Sequence, residues 1–359
     1  MSAVLAEATE PDEPRPLLRV AGLARRFILP RTSLFGPRPE LTAVADVSFD
    51  LAAGETLAVV GESGCGKSTV GNLVLNLLSP SAGSIRFDGE DLAAADDTRW
   101  RDRRRDLQLI FQDSRSALDP RLTVEAQVAE GLEIHKVATA ADRKIMVAAM
   151  LEAVGLGGDL ARRYPHELSG GQQQRAVIAR ALVLEPKLVV CDEPVAALDV
   201  SVQAQVVNLL RDLQRNLGLA YLFISHDLSL VRHVADRVAV MYLGRFVEVA
   251  ECRDLFAAPA HPYARALIGA VPAARSRRGR LVRPLRLEGE PPSPMNPPSG
   301  CPLHPRCPFA TDVCRTELPA LRPLADGRSV ACHHAEASQA DGLEAQGGSD
   351  ASQPLKVFP

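Results

Sequence analysis

A glycine-rich loop of the kind that binds phosphate groups lies between an apolar run and a helical pattern. Residues 61–69 read GESGCGKST, which matches the pattern G-x-x-x-x-G-K-S/T. Glycines let backbone N–H groups curl around phosphate oxygens, and the N-terminus of the following helix adds partial positive charge. We therefore expect Lys67 to contact the β- and γ-phosphates and the Ser68 hydroxyl to ligate Mg²⁺. The predicted phosphate-site residues of this loop are Gly61, Glu62, Ser63, Gly64, Cys65, Gly66, Lys67, Ser68 and Thr69.

Two carboxylates follow a second apolar run, in which residues 188–193 read LVVCDE. In α/β sheets of parallel strands, ligands bind at the carboxyl ends of the strands. Asp192 is placed to hold Mg²⁺ through water, and Glu193 is placed to polarise an attacking water molecule. The alternative is a strand that ends in a solvated acidic pair. The presence of the phosphate loop disfavours that alternative.

The elements that must position these residues alternate along the chain. The apolar patterns over residues 56–60, 188–193 and 220–227 predict strands, and a helical pattern follows each of them, the first over residues 68–78. Strands that alternate with helices indicate an α/β fold with a parallel sheet covered on its faces. Residues 113–184 are mostly helical in pattern and form a predicted helical subdomain.

A third motif reveals a family resemblance, because residues 168–172 read LSGGQ. Together with the two motifs above, this stretch resembles the signature of ABC-type ATPases, and the other motifs of that family follow in order. Gln112 resembles the Q-loop residue, Asp199 the D-loop residue and His226 the switch histidine. Phe27 occupies the place of the aromatic residue that stacks on adenine.

The resemblance implies the P-loop NTPase fold of ABC ATPases and a head-to-tail dimer. A helical block separates the signature from the phosphate loop of the same chain, so each signature closes on the ATP of the partner. The resemblance also implies that His226 hydrogen-bonds the γ-phosphate and that Gln112 contacts both the metal–water site and a membrane partner. With the catalytic residues Glu193 and His226 present, we expect an active ATPase with ATP and Mg²⁺ as cofactors. The signature residues that contact nucleotide are Ser169, Gly170, Gly171 and Gln172.

The chain changes character after Val249, where proline and arginine become more frequent and a cysteine-rich segment follows. Long polar ends are typical of disorder. The predicted organisation is a disordered lead-in over residues 1–16, an ABC ATPase domain over 17–255 with its core at 17–112 and 185–255 and its helical subdomain at 113–184, a small C-terminal cysteine-containing module over 256–335, and a disordered tail over 336–359.

The C-terminal module narrows the family to one branch. Residues 261–267 read HPYARAL, and residues 300–308 read GCPLHPRCP. Both stretches resemble the C-terminal region of oligopeptide and dipeptide importer ATPases, of the F-type. This resemblance implies a second ABC ATPase subunit as partner (a heterodimer, or a homodimer in some relatives), two transmembrane permeases and an extracytoplasmic solute-binding protein. Related importers take nickel, opines or glutathione, and the ATPase subunit does not contact the cargo.

Four of the seven cysteines cluster in this module with the spacing C-x₅-C-x₆-C-x₁₇-C. Four thiolates can bind an iron–sulfur cluster or zinc, although the spacing lacks the C-x₂-C pairs of common zinc ribbons. Resemblance to relatives with this cysteine pattern favours a four-iron, four-sulfur (4Fe–4S) cluster. The alternative is four cytosolic thiols without metal. The candidate ligands are Cys301, Cys307, Cys314 and Cys332.

Composition excludes several functional classes. The net charge of −3 does not indicate a nucleic-acid-binding protein. No stretch approaches the roughly 20 apolar residues that cross a bilayer, and the acidic N-terminus lacks a signal peptide. We therefore expect a peripheral protein on the cytoplasmic side of the inner membrane. The alternative functions are a soluble ABC-type ATPase of DNA repair or translation, an exporter ATPase and a non-enzymatic regulator.

Overall fold

The computed structural model describes residues 15–31, 38–92, 97–271 and 285–336. The predicted lead-in lies almost entirely outside these ranges, and so does all but the first residue of the predicted tail. Contacts divide the chain into two compact units, residues 1–245 and residues 246–359. The domain boundary predicted at residue 255 stays a prediction. In the described part of the chain, no helix combines the length and the apolar character that crossing a membrane requires.

The first unit begins with an antiparallel sheet in the order β2-β1-β4-β5. Residues 44–51 have the alternating apolar pattern that predicts a half-buried strand, and they form the end of the longer β2, whose final residues alternate between buried and more exposed. The strand-like stretch from Leu17 to Phe27 corresponds to β1, whereas β4 and β5 were not predicted, and the alternation of strands and helices indicated only parallel pairing. The sheet consists of β1 (Leu18–Ile28), β2 (Glu40–Leu51), β4 (Ala82–Phe87) and β5 (Glu90–Asp91).

The predicted parallel sheet is present and has the order β9-β3-β8-β7-β6 within this unit. All residues of β3 and β8 are buried, as expected of parallel strands covered on both faces. The α/β fold class is therefore confirmed. The strands are β3 (Thr56–Val60), β6 (Leu107–Ile110), β7 (Leu188–Asp192), β8 (Ala220–Ser225) and β9 (Arg237–Tyr242).

Helices of the first unit surround this sheet and form the mostly helical stretch between β6 and β7. The helix after the phosphate loop is shorter than the pattern over residues 68–78 predicted, because it ends at Val74 and Asn76 has a left-handed φ of 51°. The helices are α1 (Lys67–Val74), α2 (Asp97–Asp106), α3 (Ser114–Ala117), α4 (Val124–Ile134), α5 (Ala140–Ala153), α6 (Gly170–Leu182), α7 (Val200–Leu217) and α8 (Leu228–Val234), with 3₁₀ turns at Gly158–Arg162 and Pro165–Glu167.

The second unit contains a small antiparallel arrangement in which β12 pairs with both β10 and β11. Short helices and loops that contain the clustered cysteines complete it. Its elements are β10 (Arg245–Glu251), α9 (Cys252–Ala257), α10 (Pro262–Gly269), a 3₁₀ turn (His304–Arg306), α11 (Asp312–Thr316), β11 (Arg322–Pro323) and β12 (Ser329–Val330).

A buried polar network holds the second unit together around Glu248, which has no exposed surface. Its carboxylate accepts hydrogen bonds from the backbone N–H groups of Ala260 at 2.9 Å and His261 at 2.7 Å, and it lies 3.5 Å from Nη1 of Arg328. Burial raises the pKa of Glu248 to about 7. The two N–H groups and the arginine charge lower this pKa, but burial has the larger effect. The imidazole of His261 accepts the N–H of Tyr263 at 3.1 Å and so caps α10.

Candidate nucleotide-binding and catalytic site

The phosphate loop requires glycine where it packs against neighbouring backbone. A Cβ atom at Gly66 would collide with the carbonyl of Ala43 in β2, and Gly66 has a φ of 108°. A Cβ atom at Gly61 would likewise collide with the carbonyl of Met241. Gly66 is the N-cap of α1 and supplies no side-chain cap, so the first N–H groups of the helix stay available for an anion.

The Lys67 side chain is held inside the loop. Its ammonium group donates to the carbonyl oxygens of Gly61 at 2.9 Å and Glu62 at 3.0 Å, and the residue is almost fully buried. The Cys65 thiol lies 3.9 Å from Nζ of Lys67. Burial raises the pKa of Cys65, although the lysine charge lowers it, so this thiol remains protonated. That geometry agrees with Cys65 as a small loop residue rather than a reactive thiol.

The two residues predicted to hold Mg²⁺ from separate motifs meet directly. The Ser68 hydroxyl donates a hydrogen bond of 2.8 Å to Oδ1 of Asp192. Burial raises the pKa of Asp192, whereas the hydrogen bond from Ser68 lowers it. The pair lies where α1 begins and β7 ends. A hydroxyl beside a carboxylate at this edge of the sheet is a set of oxygen donors that suits Mg²⁺.

Glu193 lies at the centre of a second cluster, one residue beyond β7. The Gln112 amide donates to its Oε2 at 3.0 Å, and Nδ1 of His226 lies 3.1 Å from its Oε1. Glu193 has a left-handed φ of 47°, which is unusual for a residue other than glycine and typical of functional sites. Its backbone N–H donates to Ile224 at 2.9 Å, which fixes this conformation beside β8. Three predicted site residues from different elements are thus brought together.

The signature lies at the N-terminus of α6, apart from these clusters. The Ser169 hydroxyl accepts the N–H of Gln172 at 3.3 Å, and the Gln172 side chain accepts the N–H of Ser169 at 2.9 Å, which forms a reciprocal capping box. Both signature glycines lie against the segment around Asp199. A Cβ atom at Gly170 would contact Leu198, and one at Gly171 would contact Val202 in α7. Asp199 is the backbone N-cap of α7.

Sequence reasoning missed Gln173, which supports the signature from within. Its side-chain amide is buried and donates to the carbonyl oxygens of Pro165 at 2.8 Å and Leu168 at 3.2 Å. These bonds hold the turn that precedes Ser169. The available signal was a run of three glutamines at the start of an amphipathic helix, of which Gln173 and Gln174 are buried.

Phe27 lies near the end of β1 and is partly exposed. It pairs across the sheet with Leu41, while Arg25 pairs with Val44. The guanidinium carbon of Arg25 lies 4.7 Å from the centre of the Phe27 ring. The aromatic residue predicted for adenine therefore stands on the strand next to β2, whose Ala43 touches the phosphate loop.

The four clustered cysteines lie in the second unit, and their backbones are connected where the N–H of Cys301 donates to Cys314 at 2.8 Å. Burial, with a smaller contribution from neighbouring thiols, raises the pKa values of Cys301, Cys307 and Cys332 to about 11. For each of these three cysteines, the backbone N–H group two residues later in the chain lowers the pKa of the thiol. Among the residues that the structure describes, no group of three or more His, Cys, Asp or Glu side chains is arranged to hold a metal ion.

Comparison with known proteins agrees with this geometry. The ABC transporter family model matches residues 44–196, and the model for the C-terminal region of oligopeptide/dipeptide transporters matches residues 247–314. A probable peptide ABC transporter ATP-binding protein of Sinorhizobium fredii is 50% identical over 317 residues, which cover 88% of this chain and 89% of that protein. The di/tripeptide transport ATP-binding protein DppF of Pseudomonas aeruginosa is 47% identical over 320 residues, which cover 89% and 98%.

A more distant relative and a solved structure extend the comparison. The oligopeptide transport ATP-binding protein AppF of Bacillus subtilis is 46% identical over 311 residues, which cover 86% of this chain and 94% of that protein. The structure of a dimeric ATP-binding cassette in a post-hydrolysis state, bound to ADP and Pi, is 27% identical with a TM-score of 0.58 and covers 66% of this chain and 98% of that chain. The chain therefore belongs to the ATP-binding subunits of the oligopeptide/dipeptide ABC transporter family, whose members bind ATP with Mg²⁺ and hydrolyse it to drive transport.

Proposed function

We propose that this chain is the ATP-hydrolysing subunit of a peptide importer, positioned on the cytoplasmic side of the inner membrane. The observation that supports hydrolysis most directly is the cluster in which Gln112 and His226 both contact the Glu193 carboxylate, next to the Ser68–Asp192 pair. Peptide cargo is supported by the similar relatives, which are named as peptide, di/tripeptide and oligopeptide transport proteins.

Within the site, Glu193 acts as the general base toward the attacking water, because it is the carboxylate beside the γ-phosphate position implied by the loop. His226 holds the γ-phosphate and that water in line. The residues that would hold Mg²⁺ are Ser68, Gln112 and, through water, Asp192, and the bound ion would neutralise phosphate charge. Lys67 leaves its loop carbonyl partners to contact the β- and γ-phosphates.

The active unit is a dimer of ATPase subunits in which Ser169 to Gln172 of one subunit close on the nucleotide of the other. The free N–H groups at the start of α6 suit a phosphate. The dimeric state of the similar solved structure supports this arrangement. The second subunit is a different ABC ATPase or a second copy of this chain.

A permease segment docks in a groove beside Gln112. The groove encloses about 300 Å³ among β6, α4 and α6, and its walls include the exposed apolar side chains of Leu77, Phe111 and Ile134. Phe111 directly precedes Gln112, so a segment seated here would contact the neighbour of the residue that contacts Glu193. We expect Ile134→Glu to reduce co-purification of permeases, whereas Ile145→Glu, a similarly exposed isoleucine on α5, leaves it unchanged.

The decisive experiment measures ATP hydrolysis by this chain reconstituted with its permeases and partner ATPase in lipid vesicles. Stimulation by a solute-binding protein loaded with short peptide, but not with nickel, an opine or glutathione, supports peptide import. Stimulation by one of the other solutes would show that the cargo is that solute rather than peptide, and the proposed ATPase role would stand. Hydrolysis that never responds to permeases or binding protein would favour a soluble ABC-type ATPase instead.

For the C-terminal module, we propose that Cys301, Cys307, Cys314 and Cys332 bind a 4Fe–4S cluster. Four thiols in one compact unit, with backbone N–H groups directed at three of the sulfurs, are a chemically suitable donor set. The described side chains do not form a ready ligand set, so no step of ATP hydrolysis is assigned to a cluster. Protein purified without oxygen should be brown and contain iron and sulfide; a colourless, metal-free and folded protein would contradict the proposal.

A further inference from the structure

Arg25 covers one face of the Phe27 ring. The guanidinium carbon lies 4.7 Å from the ring centre, within the range of a cation–π contact. Both residues lie on β1 two positions apart, so their side chains emerge on the same side of the strand. Phe27 is only partly buried, which leaves ring surface for a planar ligand.

The guanidinium is also fixed from a second direction. Its Nη1 donates a hydrogen bond of 2.6 Å to the carbonyl oxygen of Ser79, in the segment that follows α1. Its Nε is buried and has no hydrogen-bond partner among the described residues. Burial of a charged N–H donor without a hydrogen-bond partner costs free energy. Solvation therefore does not explain why the guanidinium lies over the ring.

The Arg25–Phe27 pair stands beside the phosphate loop. Arg25 pairs with Val44 and Arg26 with Thr42 across β1 and β2, so Ala43 lies between their two partners. Gly66 of the phosphate loop lies so close to the carbonyl of Ala43 that no side chain would fit at position 66. Neighbouring strands lie about 5 Å apart, so the pair stands beside the segment of β2 that touches the phosphate loop.

We propose that Arg25 is a positioning residue for the nucleotide base, which it serves by fixing the Phe27 ring from behind. This inference rests on the proposed stacking of adenine on Phe27. The cation restricts the ring to one orientation, so less side-chain freedom is lost when a base stacks on it. A cation on one ring face also draws electron density from the opposite face, which favours an electron-rich purine there.

The test compares a ligand that has a base with one that lacks it. Calorimetric titration of the full-length chain with MgADP and with magnesium pyrophosphate separates base binding from phosphate binding. For Arg25→Gln we expect the Kd for MgADP to rise about two- to fivefold, the range of an exposed cation–π contact, while the Kd for pyrophosphate stays unchanged. Arg25→Lys keeps a cation that reaches the ring and should restore most of the affinity.

Arg26→Gln is the matched control, because it removes the same charge from the next position of β1, where the side chain is exposed. It should leave both affinities unchanged. Phe27→Ala is measured in parallel and should weaken MgADP selectively. If Phe27→Ala is selective but Arg25→Gln is silent or binds MgADP more tightly, the role of Arg25 is wrong and the stacking role of Phe27 survives. If Arg25→Gln weakens both ligands equally, Arg25 acts on the phosphate loop and the proposal fails. If Phe27→Ala shows no selectivity, the stacking platform itself is wrong.

Discussion

The side-chain amide of Gln112 donates a hydrogen bond of 3.0 Å to the Glu193 carboxylate. Gln112 follows β6 at the start of the mostly helical stretch, whereas Glu193 follows the neighbouring strand β7. The other carboxylate oxygen faces His226. Any movement of the segment that contains Gln112 would therefore change the environment of the group proposed to activate water, and the proposed permease docking would act on hydrolysis through this side-chain contact.

Glu193→Gln should abolish hydrolysis and preserve ATP binding. An amide of nearly equal size keeps the contacts with Gln112 and His226 but cannot accept a proton, so we expect kcat to fall by at least about a hundredfold. The Kd for ATP should change little, and closed dimers should accumulate with ATP on size-exclusion chromatography. Glu125→Gln, an exposed change in the first turn of α4, should behave as wild type. Rapid turnover by the Glu193 variant would remove that residue from its proposed role.

Lys67→Ala should weaken nucleotide binding itself. The ammonium group is buried in the loop beside two carbonyl oxygens and the Cys65 sulfur, which are neutral partners that it can exchange for phosphate oxygens. Loss of charge-assisted hydrogen bonds to phosphate should raise the Kd for MgATP by at least about tenfold. Lys144→Ala removes an exposed lysine from α5 and should leave the Kd unchanged. An unaltered Kd in the Lys67 variant would contradict the phosphate-loop assignment.

Local patterns were sufficient for the parts of the site that are contiguous in sequence. The phosphate loop and the strand before Asp192 could be predicted because five-residue apolar runs and glycine spacing are local signals. The contact between Gln112 and Glu193 could not be predicted from local patterns, since it joins residues 81 positions apart and depends on the left-handed conformation of Glu193. The antiparallel pairing of β1 with β4 was missed for a related reason: its register is set by partners far along the chain.

Buried polar networks were the other feature beyond sequence reasoning. Glu248 interrupts the apolar strand RFVEVAE, which is a signal that a charge is buried, but its partner Arg328 lies 80 positions away and nothing local identifies it. The HPYARAL stretch could be recognised only by resemblance. The structure supplies its physical reason, because His261 caps α10 and its N–H reaches Glu248.

Glu248→Gln should destabilise the second unit strongly. Its carboxylate accepts two backbone N–H groups and faces the buried Arg328, so the amide would remove one of the two carboxylates beside that guanidinium and leave Asp326, 2.8 Å from Nε of Arg328. We expect the free energy of unfolding to fall by about 3 kcal/mol. Glu251→Gln, an exposed change at the end of β10, is the matched control.

The double variant Glu248→Gln with Arg328→Met separates charge imbalance from lost packing. If the lost stability of Glu248→Gln comes from the charge of Arg328, the double variant should be more stable than Glu248→Gln alone when measured by denaturant unfolding. A double variant that is less stable by the sum of both single changes would mean that the two side chains act independently.

His261 should make the protein less stable in acid. Burial lowers the pKa of this imidazole to about 3, well below its ordinary value of 6.5. The unfolded chain therefore binds a proton that the folded chain excludes, so the stability contributed by neutral His261 is present above pH 6.5 and is lost as the pH falls toward 3. Denaturant unfolding at steps between pH 7 and pH 4 measures this slope. His261→Asn keeps a side-chain acceptor for the N-terminus of α10 but does not titrate, so it should lose less stability than the wild type between pH 7 and pH 4. Glu248, whose pKa is raised by burial, contributes a slope of opposite sign in the wild type and in the variants alike. His233→Asn, the same change at an exposed histidine of α8, should retain the wild-type slope; equal slopes for all three proteins would show that His261 binds its proton as readily in the folded chain as in the unfolded one.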